Sequence, residues 1–475
     1  MSKKIDYKKL EKELIVQKKT CWEIWDEATK KEAFLFANGY KDFSNQVKTE
    51  REAVTQGVKM AKRKGFKNLE EVKSLKAGDK IYFVQRNKGL MLARIGKGGL
   101  KNGFRMLMSH VDAPHLDLKV SPLYEEERLA FFKTQYYGGI KKYQWPTIAL
   151  AIHGTVCLEN GKKVEVKIGE EESDPIFMIT DLLPHLERSG GPGSAPGKRE
   201  ILGEDLNLLV GSLPVGEKDI KEKVKLAVLE FLFNKYGIRD ADFASAELQI
   251  VPSEKARDLG FDRSLMSAYG HDDRICSYAA IEAIFESKNS KKTQICAWVD
   301  REEIGSDGST GARSLFFENF ISRLLKLTGE KDGISNVYKV FSLSQAISAD
   351  VTAAVDPDYR DVHDLRNANR MGFGVALERH TGSGGKYSTS EASAEFIQEI
   401  RMILNKNKNI PYQLSGGLGK VDQGGGGTIA KYMANRDIDV VDIGVALFNM
   451  HAPLEIASKG DLYSAYMFYR EFLGW

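Results

Sequence analysis

Two glutamates stand together where an apolar run ends, in ICAWVDREEIGSDGS (295–309). A carboxylate is costly to bury without a positive neighbour, so Glu302 and Glu303 side by side raise the question of what sits beside them. Three more apolar runs end in metal-binding groups: FRMLMSH in His110, VFSLSQAISAD in Asp350 and IGVALFNMH in His451. A fifth cluster, YGHDDR, places Asp272 just before a helix. Two imidazoles and several carboxylates make a mixed nitrogen and oxygen set. Such a set suits zinc, with cobalt or manganese as alternatives. Taken singly, each has a plainer explanation. A histidine at a strand end is commonly a hydrogen-bonded structural residue, and paired glutamates are commonly a solvated turn. Asp-Asp-Arg before a helix is often an N-cap with an ion pair. Their coincidence at one predicted sheet edge is what points to metal-dependent hydrolysis.

Such an edge needs elements to build it. The first sixty or so residues read as helix, with Leu10, Leu14, Cys21, Ile24 and Trp25 near helical spacing. KIYFVQRN and LMLARIG read as short strands, and GFRMLMSHVDAPHLDLK as an apolar strand broken at Pro114. From about 118 to 255 aromatic and β-branched pieces predict antiparallel sheet, and RSGGPGSAPGKRE (188–200) predicts an exposed loop. Beyond that, helix and strand alternate. The helix ICSYAAIEAIFES precedes the strand TQICAWVD. The helix ARSLFFENFISRLLKL precedes a strand read across VYKVFSLSQAISAD. SEASAEFIQEIRMILNKN and GGTIAKYMANR are helices, and VVDIGVALFNMH is a strand. Repeated alternation predicts an α/β fold: a mixed, largely parallel central sheet sandwiched by helices. In open α/β sheets ligands bind at the carboxyl ends of the strands, where the groups named above fall.

Composition narrows the classes. The chain has 475 residues, 42% hydrophobic and 28% charged, as expected of a globular protein of two or three domains. Lys and Arg number 69 against 66 Asp and Glu, and no Arg-rich arm appears, so nucleic acid is not an expected partner. No apolar stretch approaches the ~20 residues needed to span a bilayer, and the basic N-terminus lacks the apolar core of a secretory signal. The four cysteines are scattered, with no C-x-x-C pair, as expected of reduced thiols in a cytoplasmic protein. GSGGKYS fails as a phosphate loop because Tyr387 follows Lys386. VDQGGGGTIA is either an anion-binding turn or a plain tight turn.

Over nearly its whole length the chain resembles the aspartyl aminopeptidase and vacuolar aminopeptidase I family of zinc metallopeptidases. The resemblance rests on SHVDAPHLDLKVSPLY, FKTQYYGGIKKYQW, DLLPHL, GEDLNLLVGS, REEIGS, SADVTAAVDPDY and NMHAPLE. It implies an aminopeptidase with two divalent metal ions. His110 would bind one and His451 the other, with Asp272 bridging and Glu303 and Asp350 completing one shell each. Asp112 would orient His110. Glu302 would be the general base that takes a proton from water and returns it to the leaving amine. The Asp272–Asp273 peptide would be cis. The metallopeptidase domain would comprise 1–117 and 256–475. Residues 118–255 would be an inserted β-rich domain driving dimerisation, with dimers assembling into a tetrahedral dodecamer. His185, in DLLPHL, would reach a neighbouring subunit's site and touch substrate.

Substrates would be peptides with a free N-terminus. Acid-preferring members carry a histidine shortly after the SAD aspartate and a lysine on a later strand. Here Ala353 and Glu378 align with those positions. A glutamate repels an acidic side chain, so the N-terminal residue is expected to be neutral or basic rather than strictly acidic. Three alternatives belong to other classes: a different metal-dependent amidohydrolase, such as a deacylase or carboxypeptidase; a catalytically silent oligomeric cargo or scaffold protein; and a nucleotide-dependent enzyme, for which a qualifying phosphate loop is lacking.

Overall fold

The computed structural model describes residues 6–15, 18–186 and 200–475. Residues 188–199 of the Gly/Pro-rich stretch lie outside them. A nine-stranded sheet forms the centre, in the order 67–68, 80–85, 89–94, 293–299, 104–110, 345–348, 439–444, 375–378 and 412–415. Five neighbouring pairs are parallel and three antiparallel. Phe104–His110 and Thr293–Val299 are buried at every position, which is why they read as continuous apolar runs rather than as alternation. Alternate residues feed opposite cores. Leu107, Cys296 and Trp298 join the helices Glu27–Gln46, Glu50–Arg63, His271–Glu286, Ala394–Lys406 and Lys459–Gly474. Met106, Met108, Ile295, Ala297 and Val299 join Phe316–Leu327, Ile334–Ser342 and Ala430–Ala434. The mixed, helix-sandwiched sheet expected from the sequence is thus present.

Two expected strands are shorter than predicted. The segment read as one strand across VYKVFSLSQAISAD begins as the helix Ile334–Ser342, and only Gln345–Ser348 is strand. Val337, Val340 and Phe341 are its buried residues, at i, i+3 and i+4, a helical period hidden by β-branched composition. VVDIGVALFNMH divides at Val445: Asp439–Gly444 belongs to the central sheet and Ala446–Phe448 to a separate five-stranded sheet. His451 therefore lies in the turn between Ala446–Phe448 and Glu455–Ser458, not at a strand end.

A seven-stranded sheet, antiparallel throughout, is built between His115 and Pro252 in the order 163–168, 150–157, 246–252, 115–126, 129–137, 208–211, 178–179. It has its own apolar core, including Leu116, Phe132, Trp145, Ile152 and Phe243, and carries the helix Lys223–Tyr236. No helix among the described residues is long and apolar enough to cross a membrane.

Candidate metal centre and active site

Register brings the strand ends together. Val299 pairs with His110, and Ser348 with Met108, so His110, the turn after Val299 and Asp350 reach one edge. Arg301 turns the chain there in the left-handed region, at φ 68°, and Glu302–Ile304 forms a 3-10 turn. The first two amides of that turn, Glu302 N–H and Glu303 N–H, both donate to the Asp112 carboxylate at 3.2 Å. Asp272 arrives from the five-stranded sheet after a turn at Gly270. The Asp272–Asp273 peptide, expected to be cis, is cis.

Asp272 lies between the two imidazoles. Its Oδ1 is 3.0 Å from His110 Nε2, and its Oδ2 is 3.4 Å from His451 Nε2. Asp350 Oδ1 lies 3.7 Å from His110 Nε2, and Glu303 Oε2 lies 3.4 Å from His451 Nε2. The ligand atoms of His110, Asp272 and Glu303 fall within metal-binding reach of one another, as do those of His110, Asp273 and Asp350. Asp112 stands behind His110, but the Nδ1 hydrogen bond of that ring goes to the main-chain carbonyl of Asp112 at 3.1 Å. The Asp112 carboxylate is 3.3 Å away and is occupied with the Glu302–Glu303 turn and with the Tyr137 hydroxyl, which donates at 2.9 Å.

A cavity of about 230 Å³ opens over this cluster, lined by the predicted His110, Asp272, Glu302, Glu303, Asp350 and His451, and by Ala353, Glu378, Leu418 and Gly425–Thr428 among others. Among the described residues, no lysine or arginine lines it. Glu378 is buried in the wall, its Oε1 accepting from Thr352, Asn369 and Ser415 at 2.6, 2.8 and 3.3 Å. His185 is not brought to this cavity. It lies on an exposed turn of the segment before residue 187.

The electrostatics are compatible with a bound cation. Burial, with the carboxylates of Asp350, Asp112 and Asp272, pushes Glu302 up to about 8 against the pull of His110. Burial and the charge of Asp272 push Glu303 well above its ordinary range. Burial alone would lower His451, yet Asp272 and Glu303 carry it up to about 10. Asp272 Oδ1 and Glu303 Oε1 are buried without an aligned hydrogen-bond donor among the described residues. Carboxylate oxygens left open beside two imidazoles fit a divalent ion of the zinc type.

The profile of the family described as aminopeptidase I zinc metalloprotease (M18) matches residues 43–473. The chain belongs to the M18 family of zinc metalloproteases. It is accordingly a zinc aminopeptidase, a hydrolase. It is 46% identical over 459 residues to the "Probable M18 family aminopeptidase 1" of Borrelia garinii subsp. bavariensis, covering 96% of this chain and 99% of that one. The crystal structure of an M18 aminopeptidase from Thermotoga maritima superposes with a TM-score of 0.91 at 42% identity, covering 96% of this chain and 99% of that one. The S. cerevisiae mApe1 dodecamer matches with a TM-score of 0.73 at 19% identity, covering 92% and 95%, which shows the shared M18 fold.

Sequence reasoning passed over several residues around the M18 site. Glu455 is buried, and its two oxygens accept Asp272 N–H at 3.0 Å and His451 N–H at 2.7 Å, tying both segments together. Its signal was the carboxylate four residues after His451, in MHAPLE. Asp273 accepts His110 N–H at 3.4 Å. Gly139 O accepts the His451 Nδ1 hydrogen at 2.8 Å, and a backbone carbonyl leaves no trace in side-chain chemistry.

Proposed function

We propose that the chain removes N-terminal residues from peptides at a site holding two divalent ions, zinc foremost, with Glu302 as general base. The placement of Asp272, one carboxylate oxygen toward each imidazole, supports this most directly. On this reading His110 and Asp350 would hold one ion and His451 and Glu303 the other, with Asp272 between them. When bound, the ions supply Lewis acidity toward water and the scissile carbonyl. The chain's own side chains do the rest. Asp112 fixes the turn from which Glu302 reaches the cavity. Glu302, raised by its buried and acidic surroundings, takes a proton from the attacking water and delivers it to the leaving amine. Glu302→Gln should retain metal and lose about 10²–10⁴-fold in kcat. Full activity in that variant would remove Glu302 from the role.

The N-terminal side chain is neutral or basic on this reading. Ala353 leaves room, and Glu378 offers a carboxylate whose Oε2 meets no donor among the described residues. Asp-, Leu- and Arg-linked chromogenic substrates assayed side by side test this, and a strong Asp preference would defeat it. An N-acetylated Leu substrate should resist cleavage, since the free amine is what such a site anchors. The seven-stranded sheet serves self-association into dimers and a tetrahedral dodecamer, in keeping with the yeast relative's assembly. Exposed Leu213, Phe231 and Phe233 on and before its helix suit burial against a second copy. His185, outside its own chain's cavity, is then free to reach a neighbour's.

A further inference from the structure

Three successive residues leaving the antiparallel sheet touch the metal cluster from behind. The strand Leu129–Tyr137 ends beside His115, its register partner. The Tyr137 ring stacks on His115 with centroids 4.4 Å apart and planes 17° from parallel. His115 is itself fixed by Ala113 O at 2.8 Å and the Asp117 carboxylate at 3.0 Å. Held this way, the Tyr137 hydroxyl donates to Asp112 Oδ2 at 2.9 Å. Gly138 follows at φ 75°, so close that a Cβ there would lie 3.3 Å from Glu303 Cβ and from Pro114 Cγ. Gly139 then gives its carbonyl to His451 Nδ1 at 2.8 Å.

Tyr137 and Gly139 thus bond Asp112 and His451, and Gly138 between them passes where a side chain would meet Glu303. Asp112 holds the Glu302–Glu303 turn by two amides, so a donor on its carboxylate fixes where both glutamates stand. Without that donor the carboxylate keeps only the two turn amides and the His110 contact, and its placement is less constrained. We infer that Tyr137 is a positioning residue for the metal centre: acting through Asp112, its hydroxyl sets the placement of Glu303 as a ligand and of Glu302 as base. The antiparallel sheet is in this sense part of the site's scaffold and not only an association module. The inference rests on the metal-holding reading above.

The test measures affinity for zinc and cobalt ions by chelator competition on metal-stripped full-length protein, with kcat and KM alongside. Removing an outer partner of a metal ligand typically costs 10–100-fold in affinity or activity. Tyr137→Phe should weaken binding of at least one equivalent about tenfold or more and lower kcat with little change in KM. The metal-free thermal midpoint should fall only as far as the loss of one buried hydrogen bond to a carboxylate accounts for. Tyr136→Phe, next along the strand with an exposed ring, should change nothing. In an Asp112→Ala background Tyr137→Phe should cost nothing further, because the hydroxyl acts through that carboxylate. Unchanged affinity in Tyr137→Phe overturns the inference, as do effects that simply add in the double variant. Should the parent protein bind no metal at all, the metal-holding reading fails instead, so the two failures are told apart.

Discussion

Glu302 and Glu303 stand among buried carboxylates, which either take up protons or gather around positive charge. The proposed ions would supply that charge, and each oxygen of Asp272 faces a different imidazole. The types and order of these residues were legible because each ends an apolar run or stands at a turn. The supports were not. Tyr137 bonds Asp112 and Glu455 bonds Asp272 across segments far apart in sequence, contacts that spacing does not signal; only the bond of Glu455 to nearby His451 left a trace. Asp112, expected to orient His110, has its carboxylate 3.3 Å from that ring's Nδ1 and also accepts the two amides after Arg301, a second tie that the sequence does not signal. At this scale the substrate prediction is sharpest. Glu378→Gln removes a charge from the cavity wall while keeping an acceptor for Thr352 and Asn369. It should lower kcat/KM for an Arg-linked substrate about tenfold relative to Leu, the loss of one charge-assisted contact. Equal effects on both substrates would show that Glu378 only supports the wall.

Among the elements, the strands with every residue buried were the easiest to find and the mixed boundaries the hardest. The sequence suggests strand from Val337 because Val, Tyr and Phe dominate there, although the buried residues of the helix Ile334–Ser342 keep a helical period. The connection between the helical layer and the antiparallel sheet was invisible for a different reason: it is ionic and long-range. His153, on the strand Leu150–Cys157, gives its Nδ1 hydrogen to Glu52 of the helix Glu50–Arg63 at 2.9 Å. Its Nε2 lies 3.4 Å from Glu170, an ion-pair contact without hydrogen-bond alignment. Lys48 and Lys167 also face Glu170, at 3.6 and 2.9 Å. Burial would lower His153, but Glu170 and Glu52 raise it above its ordinary 6.5. Burial would raise Glu170, but His153 and the two lysines bring it down to about 2 from 4.5. The histidine's contribution is complete below 6.5 and fades as pH climbs through its raised folded value. The glutamate's is complete above 4.5 and fades as pH falls toward about 2. The tie is therefore strongest between those two ordinary values. His153→Gln should cost about 1.5–3 kcal/mol there, and the deficit should shrink by pH 9. Thermal midpoints of both proteins across that range check this, and a deficit flat with pH would contradict it.

For the whole molecule, the division of labour was partly visible as a change of texture near residue 118, where aromatic and β-branched segments replace helix–strand alternation. The structure gives that region a separate core and sheet, yet returns its strand end at Tyr137–Gly139 to the metal cluster. Exposed apolar residues on and before that sheet's helix, and His185 lying outside its own cavity, support the proposed assembly. Sedimentation should find the protein as a large closed oligomer, and dissociated subunits should lose most activity while keeping their fold. Fully active monomers would show that each cavity is complete alone. Everything at this scale still depends on what the cluster of two imidazoles and buried carboxylates holds. The most direct measurement is metal content per chain after dialysis against zinc and removal of free ion, with Asp272→Asn beside the parent. Two equivalents in the parent and a clear loss in the variant are predicted. A parent that retains none, or a variant that retains both, would contradict the account.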